Sequence, residues 1–301
     1  MIIANPIYDA VFKYLLEDKD IARDLLSAIL GEQITSIEVK PQEQTGTVAD
    51  NLIILYRVDF KAIIKTKTNE TKKILIELQK AKHPLDVSRF RRYLGDNYRK
   101  PDVTEYKAGK PVSRTLPIVT VYFLGFKLPH MHDAPIVKVS NTYTNAGTGV
   151  PLGKTTPFLE QLTHTGFAVQ IPLLKPKLKS RLEQLLLVFS QDFVTDDRHR
   201  LEIKSVSDDP LMNRIINRLH RGILSEELQE QMNFEDEYEE ELLNRTRKIE
   251  SLQQAFDKAT KATYEANKAT EVALGQVEEE RKAKETALDE IKRLLDLLDK
   301  K

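Results

Sequence analysis

The 301-residue chain contains no cysteine. That excludes disulfides, thiolate nucleophiles and cysteine-ligated zinc or iron–sulfur centres, and it fits a reducing compartment. Net charge is also missing: 46 basic residues balance 46 acidic ones, so any affinity for nucleic acid must come from a local basic surface. No apolar run approaches the roughly 18 residues that span a bilayer, and Met1–Asn5 shows no basic-then-apolar signal pattern. The expectation is a soluble, cytoplasmic protein with no membrane partner. The Walker phosphate loop, the dinucleotide fingerprint and the Gly-x-Ser-x-Gly elbow do not occur, which removes support for nucleotide hydrolysis and for a serine hydrolase. His130 and His132 lack zinc-ligand spacing and read as loop residues.

What is present divides the chain in two. From Ser225 to Lys301 there is no proline and a single glycine, Gly275, among abundant Glu, Lys, Ala and Leu. Steps of three and four from Ile249 visit Leu252, Phe256, Ala259, Val277, Ile291, Leu294 and Leu298, as a coiled-coil seam requires, although Glu280 and Lys284 interrupt it. Residues 225–301 are therefore expected to form a helical, coiled-coil tail that supports homo-oligomer formation. A solvated single helix is the alternative.

Residues 1–224 alternate strand-like and helical segments, as a mixed α/β or α+β domain does. The spacing predicts a helix from Asn5-Pro6 to Leu16 and a second, carrying Ile21, Leu25, Leu26 and Ile29, that stops at Gly31. Strands are expected over Leu52–Ile64 and Ile74–Lys80, joined as a hairpin, followed by a helix from His83-Pro84 to Tyr98 with Val87, Phe90, Leu94 and Tyr98 inward. A further strand is expected at Ile118–Phe126, loops around short strands over 131–176, and a helix over Ser180–Phe193.

Successive strand residues face opposite ways, so Arg57, Asp59 and Lys61 share one face, and Leu75, Glu77 and Gln79 share another. If the hairpin aligns these rows, Asp59 and Glu77 become neighbours that repel unless a cation lies between them. Carboxylates so placed suit Mg²⁺ or Mn²⁺. An ordinary solvated polar face of a sheet would present the same residues.

The run Asn5-Pro6-Ile7-Tyr8-Asp9-Ala10-Val11-Phe12-Lys13, then Val58-Asp59-Phe60, Ile76-Glu77-Leu78-Gln79 and Ser88-Arg89-Phe90-Arg91-Arg92-Tyr93 resembles the PD-(D/E)XK nuclease family transposases, also described as recombination-promoting nucleases. The resemblance covers about the first half of the chain. It implies a restriction-endonuclease-like core with a central mixed sheet flanked by helices, and a Mg²⁺- or Mn²⁺-dependent DNA endonuclease acting in recombination or transposition. Asp59 and Glu77 match the metal-binding acids, Asp9 the acidic position of the first helix, and Gln79 a position that holds lysine in many members. Gln79 can orient a water molecule but brings no positive charge, a role that falls to Lys61. For Asp9, favourable placement at a helix N-terminus is the competing explanation. Arg89 and Arg92, with Lys61, are the candidate DNA contacts, because forked guanidinium groups suit phosphate; a solvated helix face is the plain alternative. Lys65, Lys67, Lys72 and Lys73 at the hairpin tip offer a further basic patch. The competing function is an inactive nuclease fold retained as an interaction protein through its tail.

Overall fold

The computed structural model describes residues 1–40, 45–49, 52–56, 60–80, 86–107, 110–131, 133–153, 156–177, 180–204 and 208–298. In chain order its elements are β1 (Ile2–Ala4), α1 (Asp9–Glu17), α2 (Lys19–Leu30), β2 (Ile34–Lys40), β3 (Thr45–Ala49), β4 (Leu52–Tyr56), β5 (Phe60–Thr66), β6 (Thr71–Gln79) and α3 (Asp86–Arg99). They continue with β7 (Val103–Lys107), β8 (Lys110–Arg114), β9 (Ile118–Leu124), β10 (Ile136–Val139), α4 (Pro157–Leu162), β11 (His164–Gln170), α5 (Arg181–Leu186), β12 (Arg200–Glu202), α6 (Pro210–Gly222) and α7 (Glu226–Leu298).

The architecture is mixed α/β. A six-stranded sheet runs in the order β10-β11-β9-β6-β5-β2. β5 and β6 form an antiparallel hairpin, with Phe60 paired to Ile76 and Ile64 to Lys72. The strand expected over Leu52–Ile64 is, however, two strands, β4, which pairs with β3, and β5, and the hairpin extends into the 65–73 stretch expected as its loop. Its turn bends at Asn69, held at φ 69°, a left-handed conformation that asparagine tolerates. β6 then runs parallel to β9, and β9 parallel to β11, while β10 and β2 close the edges antiparallel.

The first two helices follow from local signals. Asp18 accepts from the amides of Asp20 and Ile21, each at 3.1 Å, and so starts α2. Gly31, at φ 70°, ends it by donating to the Ser27 carbonyl. Helix α1 begins at Asp9 rather than at Asn5-Pro6 because Asn5 is otherwise engaged. Its buried amide donates to the Arg198 carbonyl at 2.9 Å and to Gln191 Oε1 at 3.0 Å, tying the chain to the segment before β12. Residues Ile2–Ala4 pair with β12 as a two-stranded ribbon.

The main core lies on one face of the sheet, where Ile74, Ile76, Val121 and Phe123 meet Val11, Phe12 and Leu15 of α1, Leu25 and Leu26 of α2, Phe189, and Ile215 of α6. The rings of Phe12, Phe123 and Phe189 pack at 4.8–6.0 Å between centroids. Helix α3 covers the opposite face, where Leu75 and Ile118 meet Tyr93, Leu94 and Tyr98. Tyr93 and Asn97 are buried, while Phe90, Leu94 and Tyr98 of the expected inner stripe are half-buried.

Over 131–176, where loops around short strands were expected, β10 and β11 are such strands, and β11 lies inside the sheet. Gly166 in β11 permits its close approach to β9, since a Cβ there would stand 3.1 Å from Thr120 Oγ1. The helix expected over Ser180–Phe193 shortens to α5 followed by two 3₁₀ turns, begun by a reciprocal cap between Ser180 and Glu183.

The chain divides into two units, Met1–Glu235 and Asp236–Lys301. The opening of α7 belongs to the first, where Leu228 and Met232 are buried. In the second, α7 continues as a helix exposing Ile249, Leu252, Phe256, Val277 and Ile291. No helix among the described residues is long and apolar enough to cross a membrane.

Candidate active site

Strand β6 carries two chemistries because its side chains alternate. Ile74, Ile76 and Leu78 turn to the main core, whereas Lys73, Leu75, Glu77 and Gln79 turn to the face that α3 covers. Two of the latter are charged and buried: Lys73 is 1% exposed and Glu77 5%. Lys73 Nζ lies 2.6 Å from Asp102 Oδ1 and donates to the Asn97 carbonyl at 2.8 Å, so this cation is fully engaged. Lys73 therefore does not belong to a surface patch at the hairpin tip. Lys72 is held by Glu32 and Glu70, and Lys65 and Lys67 are exposed.

Glu77 stands opposite Tyr122 of β9. The Tyr122 ring packs edge-on against Phe90 of α3 at 4.5 Å. Burial, with the nearby Glu77 charge adding to it, pushes the Tyr122 hydroxyl above the usual phenol range, so it stays protonated. Further along the same face the Tyr98 hydroxyl meets His164 Nδ1 at 2.9 Å. Burial raises the tyrosine and lowers the histidine, which favours the neutral form of both.

At the C-terminal end of β6 the backbone approaches β9 closely. Gly125 donates to the Gln79 carbonyl at 2.7 Å, and a Cβ on Gly125 would fall 1.9 Å from the Lys80 carbonyl oxygen. Only glycine fits there without displacing the strand end. Gln79 Nε2 is buried with no hydrogen-bond partner among the described residues. A buried amide donor left unsatisfied costs about 1–3 kcal/mol, so its presence asks for a reason beyond packing.

Lys80, next in sequence, takes the other side. Its ammonium lies 3.8 Å over the ring of Tyr8, and the buried Tyr8 ring meets His199 edge-on at 4.9 Å. Asp9 begins α1 beside Tyr8. One oxygen of Asp9 pairs with Lys13 a turn later, and the other, Oδ1, is buried with no hydrogen-bond partner among the described residues. The amides of Asp9 and Ala10 donate to Glu235 of α7 at 2.9 and 2.8 Å. Burial pushes the Glu235 carboxyl above its usual range; the two amides and the Lys80 charge pull it back, and the Asp9 charge adds to the rise.

The residues expected at the site are thus partly assembled. Glu77 and Gln79 share a face, and Lys61, half-buried and paired across the hairpin with Leu75, shares it with them. Asp9 follows Tyr8, whose ring Lys80 covers, and its amide donates to Glu235. Asp59 lies outside the described residues, as does the side chain of Arg89. Arg92 is exposed on α3. Among the described residues no group of three His, Asp or Glu side chains gathers as metal ligands would.

Sequence reasoning missed Lys80 and Glu235. Lys80 was read only as the end of the strand that carries Gln79. Glu235 was assigned to the tail by composition, yet Leu228 and Met232 precede it at helical spacing and mark a packed face. Within residues 5–13, Asn5, Tyr8 and Phe12 serve the scaffold: Asn5 holds Arg198 and Gln191, and Tyr8 and Phe12 are buried in the core.

No family model matches this chain, and no curated protein matches it. Among solved structures it is similar to the crystal structure of a protein of unknown function from Corynebacterium glutamicum ATCC 13032. That similarity has 15% identity, covers 72% of this chain and 85% of the other, and has a TM-score of 0.21, from which no shared fold follows.

Proposed function

We propose that this chain is a metal-dependent DNA endonuclease of the PD-(D/E)XK type with a restriction-endonuclease-like core. The observation that supports it best is the end of β6, where a buried acid, Glu77, and an amide with an unpartnered nitrogen, Gln79, share one face of an internal strand. In this reading Glu77 and Asp59 hold Mg²⁺ or Mn²⁺, and the ligand set depends on Asp59 because the described residues do not complete one. An ion held there would supply an activated water and charge stabilisation at a phosphoryl oxygen. Gln79 orients that water, Lys61 adds positive charge, Asp9 contributes a second acid, and Arg89 and Arg92 grip the DNA backbone. Action in recombination or transposition, in the cytoplasm, is the corresponding biological role.

Supercoiled plasmid incubated with wild type, Asp59→Ala and Glu77→Ala proteins in Mg²⁺, Mn²⁺ or EDTA tests the reading. Nicking by wild type alone, abolished by EDTA, is the expected result. Equal behaviour of three folded proteins would sink it.

A second reading is favoured by the exposed Ile249, Leu252, Phe256, Val277 and Ile291 of α7. An isolated helix gains little stability without packing, so a coiled coil with a second copy gives these side chains a role. The chain would then act as an interaction protein on an inactive nuclease fold. Sedimentation of the full chain separates a dimer from a monomer.

A further inference from the structure

In the second unit the seam of α7 is uncovered among the described residues: Leu252, Phe256, Val277 and Ile291 are 61%, 66%, 64% and 53% exposed. Such side chains on one helical stripe leave apolar area for a partner to remove from water. The polar members of the stripe differ in what covering them would cost. The hydroxyls of Thr263 and Thr270 donate to the carbonyls of Ala259 and Ala266, both at 2.9 Å, so burial strands no donor there. Glu280 and Lys284 are charged, and what lies opposite them decides how the helix can pair.

A closed pair of this helix with its own copy is either parallel in register or antiparallel. Parallel pairing sets every seam residue against itself: Glu280 meets Glu280, Lys284 meets Lys284 and Phe256 meets Phe256. It also lays 236–241, five acids in six residues, beside the same five acids. Antiparallel pairing about a point between Glu271 and Val272 reverses the order. Leu252 then meets Ile291, Phe256 meets Ala287, Lys284 meets Ala259 and Glu280 meets Thr263. The largest ring faces the smallest side chain, and each charge faces a short side chain past which its methylenes reach water.

We propose that the second unit pairs antiparallel with that of a second copy, in the register that sets Leu252 against Ile291. The inference rests on the coiled-coil reading above and adds its direction and register. Antiparallel pairing brings the two Glu235–Asp236 junctions to opposite ends of the pair, whereas parallel pairing would set them side by side.

The chain has no cysteine, so an introduced one reports contact without background. Full-length Leu252→Cys and Ile291→Cys proteins are oxidised separately and after mixing under reducing conditions. Linked dimers are read on denaturing gels, with sedimentation of wild type and of both reduced variants alongside. The mixture should link and neither protein alone should, because like positions in the antiparallel pair stand about 60 Å apart, far beyond disulfide reach. A second measurement needs no cysteine. Phe256→Ala should weaken dimerisation about tenfold, and adding Ala287→Phe to the same chain should restore most of it, since the swap puts the ring back opposite an alanine.

A dimer in which each cysteine variant links to its own copy would overturn the antiparallel direction and leave the coiled coil standing. A dimer that links in no mixture, or an Ala287→Phe effect that is the same with and without Phe256, would overturn the register. A wild type that sediments as a monomer at every concentration would sink the coiled-coil reading itself, and the pairing with it.

Discussion

The two faces of the central sheet are filled by different chemistry. Toward α1 and α6, Ile74, Ile76, Val121 and Phe123 belong to one cluster of buried apolar side chains, and their contribution scales with area removed from water. Toward α3, Lys73, Glu77 and Thr120 are each 5% exposed or less. Burying charges on a sheet face is costly even when they are paired, and apolar replacements of similar size commonly match or exceed their stability. The dry face is therefore what packing alone would select. The polar face retains groups that packing would discard, and the unpartnered Gln79 nitrogen lies on that side.

The largest test of this contrast sets Lys73 against Phe123. Lys73→Met strands the Asp102 charge at 5% exposure and should cost about 3–5 kcal/mol in urea unfolding. Phe123→Ala should cost a similar ~3–5 kcal/mol through the cavity it leaves. The faces differ in rescue. Asp102→Asn keeps an acceptor for the Leu116 amide, at 2.9 Å from Oδ2, while removing the stranded charge, so the Lys73→Met/Asp102→Asn pair should recover most of the loss. If the pair is no more stable than Lys73→Met alone, charge burial is not what distinguishes the faces.

Gln79→Leu should move stability and activity in opposite directions. Removing an unsatisfied buried amide is expected to raise unfolding free energy by about 1 kcal/mol, while the metal-dependent plasmid cutting proposed above should be lost. A destabilised Gln79→Leu protein would show that the amide is satisfied and structural.

Asp209 tests the dry face from outside. It caps α6 by accepting from the Leu211 amide at 2.8 Å, and its pairing with Arg181 at 2.6 Å lowers its carboxyl below the ordinary 3.8. Asp209→Ala should cost about 1 kcal/mol at pH 6, mostly through the cap, because an exposed arginine adds little. A lowered folded pKa means stabilisation that is present above the ordinary value and lost as pH falls through the folded one. The gap between Asp209→Ala and wild type should thus close below pH ~4. A gap that persists at low pH would exclude the ionised carboxylate as its source.

Legibility in the sequence followed the range of the signal. The β5–β6 hairpin and α2 with its stop at Gly31 are local patterns, and they were readable; so was the shared face of Glu77 and Gln79, because strand parity is purely local. Short strands were expected within residues 131–176, but no clear alternation locates β11 at His164–Gln170, and its place between β9 and β10 is set by tertiary pairing. The start of α1 was misplaced because Asn5 is claimed by Arg198 and Gln191, partners far along the chain. Glu235 escaped for the same reason, since its meaning depends on two amides at the other end of the first unit. Composition drew the tail boundary at residue 225, whereas packing of Leu228 and Met232 carries the first unit through Glu235.

The smallest effect is expected where no face is packed at all. Phe256 is 66% exposed, and substitution at such a position away from buried features changes stability by less than about 0.5 kcal/mol. Phe256→Ser and Ile291→Ser should leave the urea transition of the first unit unmoved, in contrast to any change at Lys73 or Phe123. Melting of the helical signal, followed by circular dichroism at several protein concentrations, reads the second unit. A concentration-dependent transition in wild type that Phe256→Ser abolishes would mean that a second copy covers the seam, because association makes stability depend on concentration. A transition independent of both concentration and substitution would leave the helix a solvated one and remove the coiled-coil reading.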